Sequence, residues 1–295
     1  GKALRIIRQS LGGLPAVPAL YENMALAQKH LNTLGDARKS VETAMTLGAG
    51  DSPSLTILAA GISYEMGDMA EALCAIRKRI AMKIDDARLY SNYCYFLNYC
   101  EGVDQAAIYN ETIRNIDIFS KRHDQVTPFK SLRDNRKKPL RIGLVSADFR
   151  NHPGGVLSRS FVEYADKETI QIYCYYNNSF VDSTTEVFMK NAYKWHQIEM
   201  LDDHQRVDLI RHDGIDILID LSGHTNGNRL AVFALKPSPV QATWAGYVNT
   251  TGLAQIDYFI SDVFTTPLDM APFFAEKLAY LPHSRFCYSP PGYST

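Results

Sequence analysis

The sequence predicts a helical-repeat half followed by a doubly wound parallel α/β half. Three observations carry this. Residues 1 to about 122 place apolar side chains at helical spacing and show almost no strand signal. After Pro139 the period changes, and short apolar runs alternate with helical stretches, as in a parallel sheet covered by helices. The stretch Leu140–Pro153, LRIGLVSADFRNHP, reads as a buried strand running into a polar loop. In open parallel sheets, ligands bind beyond the carboxyl ends of the strands.

The chain has 295 residues, enough for two domains, and 46% are apolar, enough for a real core. Net charge is −1, and Arg136, Lys137 and Lys138 are only a short basic linker. That is no electrostatic footprint for nucleic acid. No apolar run approaches the ~20 residues that span a membrane, and no signal peptide is visible at the start. Cys74, Cys94, Cys100, Cys174 and Cys287 form no CxxC pair. They are expected as buried, reduced thiols of a cytoplasmic protein, not zinc ligands.

In the first half, Tyr21, Met24, Ala25, Gln28 and Leu31 share a helical face. Ala37, Val41, Ala44 and Met45 repeat the spacing, as do Leu73, Ile76 and Ile80. Breaks are expected at Gly35, Gly48 to Pro53, Gly67, Asp85-Asp86 and Gly102. Leu34-Gly35-Asp36 recurs as Met66-Gly67-Asp68, a displacement of 32 residues. Each Gly-Asp is read as closing one helix and opening the next. The pattern resembles a degenerate tetratricopeptide repeat (TPR), whose period is about 34 residues. Such helical pairs stack into a groove that binds extended peptides. The expected division is 1–101 repeats, 102–139 connecting helix and linker, and 140–295 α/β lobe. The aromatics from Tyr90 to Tyr99 are read as core.

In the second half the expected strands are Leu140–Ala147, Ile170–Tyr176, Ile217–Leu221, Val240–Trp244, Asp257–Ile260 and Lys277–Leu281. The helices between them are Gly155–Tyr164, Ser183–Ala192, Asp203–Asp213 and Arg229–Leu235. Three strand ends carry polar loops: Asp148–His152, Asp220–Thr225 and Gly246–Gly252. In a parallel sheet these ends share one edge and could line one cleft. No GxGxxG follows the first strand, so the nicotinamide or flavin fingerprint is absent, and no P-loop occurs. His196, His204 and His212 sit among charged neighbours and read as solvated surface. His152 and His224 stand at strand ends, with better functional prospects. No HxH or HxxxH joins them, so no metal is expected.

At these loops the residues resemble a known family. GHT at Gly223–Thr225, KPSPVQATWAGY at Lys236–Tyr247, NTTG at Asn249–Gly252 and ADFRNHP at Ala147–Pro153 are similar to the protein O-GlcNAc transferase and SPINDLY glycosyltransferases. The resemblance runs from about His123 to Pro291. It implies a GT-B enzyme, with two Rossmann-like lobes facing each other after TPR repeats. By the same resemblance His152, Asp148 and His123 are catalytic, and Gly246 and Tyr247 touch the donor sugar. Asn151, Pro153, Gly154, His224 and Thr225 complete the substrate-binding set. Ala245 replaces a leucine of the family's loop, and Gly154 a threonine found in animal members. Both changes leave the donor sugar open between GlcNAc and the fucose that SPINDLY uses.

The implied reaction passes GlcNAc from UDP-GlcNAc to Ser or Thr of a protein with inversion. The nucleotide sugar is a substrate, and no cofactor is expected. Histidine suits deprotonation of the hydroxyl, with a carboxylate to orient it. The family's nucleotide contacts lie in a second lobe that residues 1–295 lack, so the chain is read as a fragment or an incomplete gene product. Residues 1–295 by themselves are therefore expected to be inactive. A non-catalytic TPR adaptor that binds proteins is the competing expectation.

Overall fold

A computed structural model describes residues 2–11, 17–119 and 139–289. The chain divides into two compact units, 1–103 and 104–295. The first unit holds six helices among the described residues: α1 (Lys2–Leu11), α2 (Pro18–His30), α3 (Leu34–Ala44), α4 (Pro53–Glu65), α5 (Met69–Ala81) and α6 (Ala87–Leu97). The pairs α2/α3 and α4/α5 pack as hairpins. Fully buried Ala25, Ala37 and Ala44 keep the backbones close, and Val41, Leu55 and Ile62 fill the space between. Gln28 and Ser40 sit where small apolar residues are expected. Both are buried, and their side chains hydrogen-bond each other at 2.7 Å, which satisfies them.

The repeat differs from its sequence reading. Gly35 does not break a helix but lies in the first turn of α3. The left-handed residue between α2 and α3 is Asn32 (φ 57°), and Gly67 (φ 85°) and Gly102 (φ 74°) follow at intervals of 35 residues. A second set, Gly48 (φ 101°) and Lys83 (φ 55°), has the same interval. The true period is therefore 35, and Asn can take the left-handed place because its short polar side chain tolerates it. Met66-Gly67-Asp68 behaves as expected: Gly67 ends α4, and the Asp68 carboxylate accepts the Glu71 N–H as N-cap of α5. Phe96 of α6 stacks on Tyr64 at 5.1 Å, and Tyr99, just past the helix, lies edge-on to it at 5.3 Å but is exposed, against the expectation that it is core. All five cysteines are free thiols, but Cys74 is exposed, against the expectation of burial.

The second unit begins with α7 (Gln105–Asn115). It is tied to the sheet by a reciprocal amide pair between Gln105 and Asn249, at 2.6 and 3.1 Å. The strands are β1 (Leu140–Ser146), β2 (Ile170–Tyr176), β3 (Lys194–Gln197), β4 (Ile217–Asp220), β5 (Val240–Trp244), β6 (Tyr258–Ser261) and β7 (Lys277–Tyr280). They form one parallel sheet in the order β3-β2-β1-β4-β5-β6-β7. This is the Rossmann order with a seventh strand added, and it reverses between β1 and β4. The helices α8 (Pro153–Tyr164), α9 (Ser183–Asn191), α10 (Asp203–Asp213) and α11 (Leu230–Ala234) connect the strands. Leu144, Phe149, Cys174, Tyr176 and Phe188 are fully buried in the core on one face of the sheet.

The edge strand β3 went unread in the sequence, because its four residues KWHQ are nowhere fully buried. It changes the reading of His196. That imidazole is not solvated: it stacks on Tyr175 at 5.3 Å, and its Nε2 lies 2.7 Å from the Asp213 carboxylate. Lys194 and the Tyr175 hydroxyl also donate to Asp213, at 2.6 and 2.9 Å. These donors outweigh burial and hold the Asp213 carboxyl down at about 2.

Candidate active site

All strands are parallel, so the loops after β1, β4 and β5 leave from one edge of the sheet. The β1 and β4 loops flank the switch point, where open α/β sheets place their ligands. The β1 loop is rigid for stated reasons. Phe149 anchors it in the core, 4.7 Å from the Phe188 ring. The Asp148 N–H donates to Ser146 Oγ, and the Asn151 N–H to the Asp182 carboxylate at 2.7 Å. Gly155 closes the turn: a Cβ there would lie 2.2 Å from the Arg150 carbonyl and 2.4 Å from that of Asp148.

This loop presents a cluster of Asp148, Arg150 and His152. Asp148 is the hub, with Arg150 donating to its Oδ1 at 2.9 Å and His152 Nδ1 at 3.5 Å from its Oδ2. His152 is also the N-cap of α8, its Nδ1 accepting the Gly154 N–H at 3.2 Å. Pro153 fills the first helical position, which needs no N–H donor. The His152 side chain is 41% exposed and that of Asp148 13%, so the imidazole can reach a ligand while the carboxylate backs it.

The β4 and β5 loops are locked together behind it. Asp220 is fully buried, and its carboxylate accepts the N–H groups of Ser222 and Gly223 and the Thr243 hydroxyl. Burial lifts its carboxyl to about 6. Gly223 has φ 55°, and a Cβ on it would strike Tyr247 at 2.3 Å. Gly246 lies equally close to the β4 loop, with 1.9 Å between a hypothetical Cβ and the Leu221 carbonyl. Thr225 folds its hydroxyl back onto the Ser222 carbonyl at 2.7 Å. His224 is 2% exposed, with its Nε2 2.9 Å from the Thr251 carbonyl and its ring edge-on to Tyr247 at 5.4 Å. The carbonyl only accepts, so Nε2 carries the proton. Burial pushes the imidazole down to about 4, which keeps it neutral.

The structure thus brings Asp148, Asn151, His152, Pro153 and Gly154 together in one loop. It sets Gly246, Tyr247, His224 and Thr225 on the same sheet edge. His224 and Tyr247 are buried there and shape the loops from behind. His123 lies outside the described residues. Sequence reading missed Arg285 and Glu276, two buried charges that hold the β5 loop. Glu276 accepts the hydroxyls of Thr250 and Thr251, and burial raises its carboxyl. Glu276 sits beside Lys277 at the start of a strand, where an acid next to a base reads as ordinary surface. Nothing in the sequence marked Arg285.

The fold and site define a Rossmann-like lobe with a carboxylate–imidazole pair at its switch point. Comparison with known proteins narrows the class. The model of glycosyl transferase family 41 matches residues 106–289, and the chain belongs to that family. It is 38% identical over 149 residues to the Caenorhabditis elegans UDP-N-acetylglucosamine–peptide N-acetylglucosaminyltransferase, covering 50% of this chain and 13% of that one. It is 34% identical over 224 residues to a rice protein described as a probable enzyme of the same name, SPINDLY, covering 73% and 24%. A solved mutant O-GlcNAc transferase of Thermobaculum terrenum superposes with a TM-score of 0.90 at 27% identity, over 98% of this chain and 55% of that one. The chain therefore spans between about an eighth and a quarter of these two curated relatives. Among the described residues, no helix is long and apolar enough to cross a membrane.

Proposed function

We propose that these residues are the acceptor-side part of a protein O-glycosyltransferase, which moves N-acetylglucosamine from UDP-GlcNAc to Ser or Thr hydroxyls with inversion. The Asp148–His152 pair at the head of α8 carries the reading, because it puts an exposed imidazole, backed by a carboxylate, at the switch point. The acceptor Oγ forms the new bond to the anomeric carbon. The bond to the diphosphate breaks with its electron pair left on UDP, and the hydroxyl proton passes to His152 Nε2. Asp148 stabilises the imidazolium that results, a general-base contribution of ~10²–10⁴ in rate. No cofactor or metal takes part in this scheme. The 35-residue hairpins are TPR-like and hold the protein substrate in an extended conformation. A cytoplasmic setting fits the free thiols.

The relatives, described as N-acetylglucosaminyltransferases, support the GlcNAc donor. The smaller residues at Ala245 and Gly154 support testing fucose beside it. The test uses the whole gene product with peptide acceptors and either UDP-GlcNAc or GDP-fucose. Transfer of GlcNAc, abolished by His152→Ala, is expected. Transfer of fucose alone would replace the donor, and transfer unaffected by His152→Ala would remove the mechanism.

A further inference from the structure

Arg285 is 1% exposed, unusual for a residue that almost always keeps its charge in water. It follows β7 and reaches back across the sheet edge. Its Nη2 donates to two carbonyls, Tyr247 at 2.9 Å and Ala245 at 3.3 Å. Its guanidinium carbon lies 5.7 Å from the Phe259 ring centre and 4.8 Å from that of Phe286. Its backbone is held as firmly, with its N–H on the Asp262 carboxylate at 2.6 Å and its carbonyl on the Trp244 indole N–H at 2.5 Å. Among the described residues no carboxylate lies within ion-pair distance of the guanidinium, Asp262 acting on it only at longer range, and Nε and Nη1 have no hydrogen-bond partner. A buried cation that lacks an ion pair is costly to keep.

The backbone it grips is strained. The Gly246 N–H donates to the Trp244 carbonyl at 2.8 Å, and Ala245 between them has φ 63°. That is a three-residue turn centred on a left-handed alanine, a rare and unfavourable form. Strain of this kind persists only where its surroundings over-determine it, and it clusters at ligand sites. Ala245 has no side-chain hydrogen bond to hold it, so the restraint comes from outside. The guanidinium is that restraint, bonding the carbonyls on either side of Gly246.

We infer that Arg285 is a positioning residue: it clamps the strained turn at Ala245 and so fixes the Gly246–Tyr247 loop against the nucleotide sugar. The donor contact rests on the glycosyltransferase reading above; the clamp itself does not. The test compares Arg285→Met, Arg285→Lys and each combined with Ala245→Gly, in the whole gene product. Lysine keeps a cation but loses the planar guanidinium that lies over Phe259 and Phe286 and so holds Nη2 between the two carbonyls. Glycine removes the penalty of positive φ. Hydrogen exchange of the Gly246 amide is expected to speed about tenfold in both single variants, the order set by losing a hydrogen bond from a charged donor. Exchange in the sheet interior stays unchanged. The KM for the sugar nucleotide rises by about the same factor with kcat falling less, and Ala245→Gly restores both. Should Arg285→Met fail to fold, Arg285→Lys carries the comparison. Gly246 exchange within twofold of the parent, or no rescue by Ala245→Gly, overturns the clamp. A parent protein that transfers no sugar at all defeats the glycosyltransferase reading instead, and the exchange data still decide the clamp.

Discussion

Asp148 and His152 meet through one nitrogen that has two uses. Nδ1 of His152 lies 3.5 Å from Asp148 Oδ2, and the same atom accepts the Gly154 N–H that caps α8. An Nδ1 that accepts leaves the proton on Nε2, which is then a donor and no base. An Nδ1–H turned to Asp148 frees the Nε2 lone pair for an acceptor hydroxyl. In the proposed mechanism the base is this second tautomer, reached when Nδ1 gives up the Gly154 N–H and turns its own proton to the Asp148 carboxylate. His152→Asn is expected to keep the cap, since Asn is a strong N-cap, and to lower transfer about 10²-fold or more. Asp148→Asn should lower kcat similarly without a loss of melting temperature. Steady-state kinetics with thermal melts check both, and parental transfer in either variant refutes the tautomer scheme.

The adjacent glycines of α8 should respond in opposite ways to one added methyl. At Gly154 a Cβ meets His152 Nδ1 at 3.5 Å and Asp148 Cβ at 3.7 Å, ordinary contacts. At Gly155 it overlaps two carbonyl oxygens. Gly154→Ala is expected to be neutral or to gain up to about 1 kcal/mol from helix propensity. Gly155→Ala should cost about 3 kcal/mol, the upper end for overpacking. Urea unfolding of the two variants measures the difference, and equal midpoints count against the loop geometry.

The chain betrayed its sheet readily, because apolar runs of four to seven residues mark six of its strands. It hides β3, because KWHQ holds a single apolar residue where the other edge strand, KLAY, holds three, and His196 reads as surface with it. The loops of the site were legible because polar residues end apolar strands. What the side chains do there was less so. His224 stands at a strand end like His152, yet it is enclosed by Tyr247, Phe119 and the Thr251 carbonyl, and only packing reveals that. Gly35 mimicked a helix break because its neighbours repeat those of Gly67, while the real break fell on Asn32.

His224 gives the second unit a pH dependence whose sign follows from its burial. Burial holds its folded value at about 4, below the ordinary imidazole value of 6.5. The unfolded chain then binds the extra proton first, so stability is full above 6.5 and falls as pH drops towards 4. Asp220, raised to about 6, acts in the opposite sense and gains stability as pH falls below 6. The parent is therefore expected to lose stability first between pH 7 and 6, then flatten. His224→Asn should remove the early loss and leave the gain from Asp220 and from Glu276, whose carboxyl burial also raises. Melting temperatures across pH 7 to 4.5 test this, and identical profiles for parent and variant would falsify the assignment.

The 35-residue interval makes a last prediction about the first unit. Asn32, Gly48, Gly67, Lys83 and Gly102 all have positive φ. A Cβ at Gly48, Gly67 or Gly102 would meet nothing within 4 Å. Alanine at those three positions therefore adds no clash, and its penalty is conformational alone, about 1–2 kcal/mol each. Conversely, Lys83→Gly removes a left-handed lysine and should stabilise by a few tenths to about 1 kcal/mol, after the entropy of the freer unfolded chain is subtracted. Asn32→Gly should gain less, because Asn already tolerates the region. The sites are far apart along the chain, so the effects should add. Hydrogen exchange of the helices that flank each turn, measured in urea on the intact chain, reads them separately. A destabilising Lys83→Gly, or a silent Gly67→Ala, would show that side-chain contacts and not backbone conformation set the interval.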